Sequence, residues 1–218
     1  PTALDRLDPV GWRWIVLGGA ADPTTRPANV VRTYGSTETG GGVVYDGIPL
    51  DGVAVRIEPD GAIALHTPTL ARGLLVDDAA LIPVGPEVDG WLRTGDLGRW
   101  DGERLVVDGR ADDLIVTGGE NVWPAPVEDR LRSHPAIADA AVVGVADPEW
   151  GRRVVALVAV AAGHELPTLA ELRDHVRAEL PAHAAPRQVL RVDALPRTAL
   201  GKLRRADALA IAAADRAG

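Results

Sequence analysis

The side chains able to do chemistry in this sequence gather in a few short stretches. In "YGSTETGGG" (34–42) a flat phenol ring, Tyr34, a hydroxyl, Thr37, and a carboxylate, Glu38, stand within five residues of one another. Phosphate chemistry uses such a set, since hydroxyl and backbone N–H groups meet phosphate oxygens and a carboxylate holds a magnesium ion against them. The same stretch also reads as a plain polar loop. "TGDLG" (94–98) offers Asp96 between two strand-like runs. An Asp there either closes an Asx-turn on its own backbone or accepts both hydroxyls of a ribose. Arg110 has a matching pair of readings, a surface ion pair or a forked donor to a sugar or phosphate.

Two further stretches lie downstream. "VTGGENVWPAPVE" (116–128) carries Gly118, Gly119, Glu120 and Asn121 ahead of a predicted helix. It is either a strand-to-helix loop with Asn121 as a local cap, or a glycine surface along which a ligand chain can lie. In "PRTALGKLRR" (196–205), Lys202 falls between Gly201 and Leu203 in a loop-like segment. Most lysines are simply solvated. An ammonium on a mobile arm is also what neutralises a carboxylate and a phosphate brought together for attack at phosphorus.

Such groups need strand ends and turns to aim them. "GWRWIVLGGA" (11–20) and "NVVRTYGSTETGGG" (29–42) each read as an apolar strand running into glycine, which lets backbone turn sharply and approach a ligand closely. From about 48 to 110 the pattern is short alternating strands, with hairpins bending at "PDG" and "WDGE", so this segment reads as one small antiparallel β unit. After Arg110 the rhythm becomes α/β alternation. "PAPVEDRLRSHP" is a predicted helix with Pro near its start, and "IADAAVVGVAD", "RRVVALVAVAAG" and "QVLRVDAL" are predicted strands. "TLAELRDHVRAELP" is a helix capped by Thr168, with Leu169, Leu172, Val176 and Leu180 on its apolar face, and "RADALAIAAADR" is a last helix. The fold class expected is α/β and α+β, in two domains, 1–110 and 111–218, with the boundary in "GRADD" (109–113).

Composition narrows the function classes. With 31 acidic against 23 basic residues and no longer basic run than "KLRR", nothing provides an electrostatic surface for nucleic acid or membrane. An anionic ligand must therefore be held by local groups. No apolar run approaches the ~20 residues that span a bilayer, and the N-terminus lacks a signal-peptide core, so a cytoplasmic location is expected. The absence of Cys rules out disulfides, thiolate metal sites and a Cys nucleophile. The absence of Phe and Met, with the start at Pro1, leads to the expectation of a fragment or an engineered sequence.

Taken in order, "LGGA", "YGSTE", "WLRTGDLG", "DGRADDLIVTGGENVWPAPVE" and "PRTALGK" resemble the later core motifs of the adenylate-forming superfamily: acyl- and aryl-CoA synthetases, luciferases and peptide-synthetase adenylation domains. Order and spacing match over nearly the whole chain. The finer likeness is to the short actinobacterial 2-succinylbenzoate-CoA ligases of menaquinone synthesis. The resemblance implies a partial large adenylate-binding domain hinged to a mobile C-terminal lid. It implies a ligase that joins a small carboxylic acid to ATP, forming an acyl-adenylate and pyrophosphate, and then passes the acyl group to CoA with release of AMP. By the same resemblance Gly18, Gly19 and Ala20 lie along the adenine with Tyr34 beside it, Thr37 meets the α-phosphate, and Glu38 holds Mg2+. Asp96 holds the ribose hydroxyls, helped by Arg110, and Lys202 bridges the attacking carboxylate and the α-phosphate. Asp112 becomes the hinge, Gly118 to Asn121 meet the pantetheine arm of CoA, and Trp150 stacks on the CoA adenine unless it is mere packing. A homodimer is a further expected partner.

Two departures from the pattern stand out. The Ser-, Thr- and Gly-rich loop ending in Lys that wraps the β- and γ-phosphates in the family does not occur in these residues, so activity is expected to need a complementing N-terminal segment. "HAAPR" (183–187) replaces the usual aromatic and basic pair before the proline, leaving Arg187 to meet CoA phosphates. The competing reading is a non-catalytic nucleotide-binding module or engineered scaffold derived from the same fold. Retention of Glu38, Asp96, Arg110 and Lys202 together favours the ligase.

Overall fold

A computed structural model describes residues 8–18, 26–76, 80–83, 90–199 and 201–215. The chain divides between Ala111 and Asp112 into two compact units. The first contains β1 (Ile15–Gly18), β2 (Val30–Ser36), β3 (Gly41–Tyr45), β4 (Ile48–Pro49), β5 (Ala54–Ile57), β6 (Ala62–His66), β7 (Gly73–Val76), β8 (Ala80–Pro83), β9 (Leu92–Asp101) and β10 (Arg104–Arg110). The second contains β11 (Ile115–Thr117), β12 (Glu120–Val122), α1 (Pro124–Arg132), β13 (Ile137–Asp147), β14 (Gly151–Val160), α2 (Leu169–Arg177), β15 (Gln188–Arg191) and α3 (Arg205–Ala214). The class is mixed α/β and α+β, as the sequence predicts. Among the described residues no helix is long and apolar enough to cross a membrane.

Among the described residues the first unit forms three sheets, where the sequence reading expected one antiparallel unit after residue 48. β1 to β4 form one sheet in chain order, with β1 parallel to β2 and the rest antiparallel. A second sheet runs β10-β9-β6-β5, and β7 and β8 pair alone. The "GGG" of the loop stretch is also corrected, because Gly41 and Gly42 already belong to β3 and pair with Ser36 and Gly35. "TGDLG" is no turn: it lies inside β9. Its glycines serve close approach, since a Cβ on Gly98 would come within 2.5 Å of the Val106 carbonyl oxygen, and one on Gly95 would meet the Arg110 guanidinium at 3.0 Å. Val43, Val44, Ile63, Leu65 and Leu105 fill the core between the sheets. On β1 and the segment before it, Trp12, Trp14 and Val16 alternate along the chain and are all more than half exposed.

The second unit is one sheet, β12-β11-β14-β13, with β15 added parallel to β14. β13 and β14 read as unbroken apolar runs because both of their faces are covered. Alternate residues Val142, Val154, Ala156 and Val158 join Leu131 of α1 and Leu172 and Val176 of α2 on one face. Ala141, Val143, Val155 and Leu157 meet Ala208 and Ala212 of α3 on the other. α2 starts where Thr168 and Glu171 close a capping box, the Glu171 carboxylate accepting from the Thr168 N–H at 2.8 Å. Leu169, expected on the apolar face, is 40 % exposed; burial falls on Leu172 and Val176. The strand-to-helix loop at 116–123 is instead a hairpin. Gly118 and Gly119 both take positive φ, 58° and 86°, as a two-residue turn between β11 and β12 requires. Asn121 pairs with Val116 in that hairpin and caps nothing; the cap position of α1 is Trp123, without a side-chain bond.

Candidate functional site

In the first unit the structure brings Tyr34, Asp96 and Arg110 together. Tyr34 comes from β2, and Asp96 and Arg110 face each other as a register pair of β9 and β10. The Tyr34 hydroxyl donates to Asp96 Oδ2 at 2.9 Å and lies 3.3 Å from the Thr94 hydroxyl. Arg110 Nε stands 3.8 Å from Asp96 Oδ1, with most of the guanidinium side exposed. Tyr34 thus fixes the carboxylate by one oxygen and leaves the arginine fork on the open side. Thr94, which the sequence reading passed over, steadies this trio from below: its hydroxyl donates to the Ile63 carbonyl at 2.8 Å and accepts from the Asp96 N–H at 3.2 Å.

Burial, chiefly, pushes the Tyr34 phenol above its ordinary pKa, and the neighbouring Asp96 charge adds to the effect. The folded state therefore favours the protonated phenol. Its contribution to stability is complete below about pH 10, the unfolded value, and is lost as pH rises through the folded one. Alkaline titration of tyrosinate absorbance is expected to show the consequence directly. Up to about pH 11, the absorbance gained is expected to be the same in wild type and Tyr34→Phe; a clear loss of amplitude in the variant would contradict the buried phenol.

Thr37 and Gly18 line a separate cleft of about 460 Å³ with Thr33, Gly35, Ser36 and Gly40 to Gly42. Five of its eight lining residues are glycine, so much of its wall is backbone. A Cβ on Gly35 would stand 2.1 Å from the Gly41 carbonyl oxygen, and one on Gly42 would stand 1.8 Å from the Thr33 hydroxyl. The loop is tied from inside by Thr39, buried to 1 % exposure. Its hydroxyl accepts from the Ser36 N–H at 2.8 Å, and its carbonyl accepts from the Thr69 hydroxyl at 2.7 Å. Sequence reasoning chose Thr37 and Glu38 and missed Thr39, whose position beside two more exposed polar residues gave no signal of burial. Glu38 is held below the usual carboxylate range by the Ser36 side chain and its own backbone, and the Arg110 charge acts the same way. Among the described residues no group of three or more His, Cys, Asp or Glu could hold a metal ion. Glu38 follows Thr37 directly in the chain, and a single ionised carboxylate suits a magnesium ion only where substrate phosphates supply the other ligands. Gly19 and Ala20 lie outside the described residues.

The second unit holds the remaining residues in two places. Gly118 lies against Trp150, where an added Cβ would come within 2.8 Å of the indole, and its N–H donates to the Trp150 carbonyl at 2.9 Å. The Arg187 guanidinium stacks on the same indole, 3.5 Å from its centroid. Burial first, then the like charges of Arg177 and Arg187, lower the pKa of Arg173, against a smaller opposite pull from Asp174. Glu120 and Asn121 are exposed on β12, and Gly119 is exposed at the turn. Lys202 is exposed in a separate loop between β15 and α3, and Asp112 begins the unit in a single 3-10 turn.

With the fold of each unit and these arrangements in place, comparison with known proteins identifies the family. Residues 126–202 match the AMP-binding enzyme C-terminal domain family. The chain is 45 % identical over 219 aligned residues to a probable 2-succinylbenzoate–CoA ligase of Mycobacterium tuberculosis, covering 94 % of this chain and 54 % of the relative. Among solved structures it resembles the o-succinylbenzoate CoA synthetase of Bacillus subtilis in complex with the acyl-adenylate OSB-AMP, with TM-score 0.79 and 32 % identity over 95 % of this chain and 48 % of that one. It also resembles the amide bond synthetase McbA of Marinactinospora thermotolerans, with TM-score 0.77 and 32 % identity over 94 % and 48 % of the two chains. The chain belongs to the adenylate-forming superfamily of acyl- and aryl-CoA synthetases. It spans about half the length of the curated relatives that it matches.

Proposed function

We propose that this chain is the adenosine-binding and lid portion of an ATP-dependent acid–CoA ligase acting on 2-succinylbenzoate or another aryl or acyl acid. The observation that carries the reading is the Tyr34–Asp96–Arg110 arrangement: a carboxylate fixed by a phenol, with a guanidinium beside it, suits the two hydroxyls of a ribose. Gly18, Gly19 and Ala20 take the adenine with Tyr34 beside it, and Thr37 donates to the α-phosphate from the glycine-rich cleft. Glu38 holds Mg2+, which when bound neutralises phosphate charge.

In the first half-reaction the substrate carboxylate attacks the α-phosphorus and pyrophosphate leaves. Lys202 supplies a positive charge between the two anions as they meet. In the second, the CoA thiol displaces AMP from the acyl-adenylate. The two units alternate about Asp112, and Gly118 to Asn121 then lie along the pantetheine, with Trp150 and Arg187 toward the CoA nucleotide. Because one of the similar structures, McbA, is an amide bond synthetase, the acceptor is a separate question from adenylation. A complementing N-terminal segment supplies the pyrophosphate clamp, and the exposed apolar side chains Trp12, Trp14 and Val16 suit contact with it.

The test is acid-dependent release of AMP from ATP and CoA over a panel of succinylbenzoyl, aryl and fatty acids, for this chain alone and with a complementing N-terminal half. Turnover with one acid class identifies the substrate. No turnover in either setting, with no AMP binding, would favour a scaffold that kept the fold.

A further inference from the structure

Lys202 rides on a loop closed at its base by an antiparallel bridge between Arg197 and Leu203. Inside it, the Thr198 N–H donates to the Lys202 carbonyl at 2.8 Å, the Gly201 N–H to the Thr198 carbonyl at 2.8 Å, and the Lys202 N–H to the Thr198 hydroxyl at 3.1 Å. Leu203 packs below it against the core that faces α3. These bonds shape the loop without fixing its apex to the sheet. Arg197 makes that link. Its Nη1 donates to the Gly201 carbonyl at 2.8 Å, and its Nε and Nη2 both donate to Asp139 Oδ2, at 3.2 and 2.7 Å. Asp139 is itself anchored on β13, its Oδ1 accepting from the Ala140 N–H at 2.9 Å with Arg132 Nη1 at 3.8 Å.

The Arg197 side chain is 38 % exposed and that of Asp139 27 %. An ion pair so open to water contributes little to overall stability. Its geometry is another matter. One planar guanidinium spans from the peptide just before Lys202 to a rooted carboxylate, and so sets the direction in which the lysine arm leaves the loop. We propose that Arg197, acting through Asp139, is a positioning residue for Lys202, a role that rests on the adenylation reading of Lys202 given above. It touches no substrate and acts only through the loop.

Two readouts on the 218-residue protein test this. The first is hydrogen exchange followed by mass spectrometry over residues 198–204. Arg197→Ala is expected to speed exchange there by about tenfold or more, while β13 and β14 keep their protection and the melting temperature moves by no more than about 4 °C. Asp139→Asn is expected to act alike, and the double variant no worse than either single one. Unchanged loop exchange in both variants, or faster exchange throughout the unit, would overturn the proposal. The second readout separates half-reactions, with the complementing half present if turnover needs it. Arg197→Ala is expected to lower adenylation turnover by about 10- to 100-fold with KM for ATP nearly unchanged, and to spare thioester formation from preformed acyl-adenylate. A merely structural role would depress both steps. If Lys202→Ala leaves adenylation intact, the reading of Lys202 fails by itself, and the exchange result still decides whether Arg197 holds the loop.

Discussion

Lys202→Ala is expected to cut acyl-adenylate formation by about 10²- to 10³-fold while thioester formation from preformed acyl-adenylate stays within about twofold of wild type. The magnitude follows from removing one preorganised positive charge at the point where two anions are driven together. The asymmetry follows from the chemistry of the second step, in which a thiolate meets a mixed anhydride and AMP leaves, and no carboxylate has to approach phosphate. Isotope exchange between pyrophosphate and ATP reads the first step, and rapid-mix thioester formation reads the second. Equal losses in both would mean that Lys202 supports the fold or the acceptor site, and no loss in either would remove it from the reaction. Since Lys202 is exposed and no side-chain contact holds its ammonium among the described residues, the variant has little reason to unfold.

Arg205→Ala is expected to destabilise the second unit by about 3–5 kcal/mol, because it strands a buried carboxylate. Arg205 Nη1 lies 2.7 Å from Glu128 Oε1 and donates to the Val142 carbonyl at 2.8 Å, and its Nε lies 3.2 Å from Asp113. Glu128, whose side chain is 8 % exposed, also accepts from the Val142 N–H at 2.9 Å. Burial on its own would lower the arginine's pKa; Glu128 and Asp113 outweigh it and hold the guanidinium above the ordinary arginine value. One side chain therefore joins α3 to α1, to β13 and to the residue after Asp112. Urea unfolding monitored by circular dichroism measures the loss. Replacing both Arg205 and Glu128 by leucine is expected to recover only part of it, because the stranded Glu128 charge is gone while Asp113 and the Val142 N–H and carbonyl still lose their partners. A loss below about 1 kcal/mol for Arg205→Ala would show that water reaches Glu128 freely.

Much of the second unit was legible before any coordinates, for a physical reason. β13 and β14 are apolar on both faces, and α2 opens on a capping box, so periodicity and cap chemistry agree with the tertiary result. The first unit was harder to read. "TGDLG" looks like a turn because its glycines and aspartate are turn residues, yet Gly95 and Gly98 are there to let Arg110 and Val106 pass closely across a strand pair. "GGEN" misled in the opposite direction, its two glycines making a hairpin where a helix was expected to begin more directly. Asp96, Arg110 and Tyr34 were legible as chemistry. Their mutual contacts were not, because a bond spanning 62 residues from Tyr34 to Asp96 leaves no local pattern. Thr39, Thr94, Arg197 and Asp139 escaped for the same reason, each being ordinary by type and distinctive only by what it touches.

The glycine-rich cleft beside Thr37 has a bearing on how sequences of this kind diverge. At Gly35 and Gly42 the nearest atoms to a new Cβ are the chain's own, the Gly41 carbonyl and the Thr33 side chain. Selection against any larger residue at these two positions would operate in every descendant of the fold, including one that had lost all use for nucleotide. Invariant glycine there would be a record of steric inheritance, and retained function would have to be sought in the drift or persistence of Lys202, an exposed side chain that nothing in the packing obliges to stay.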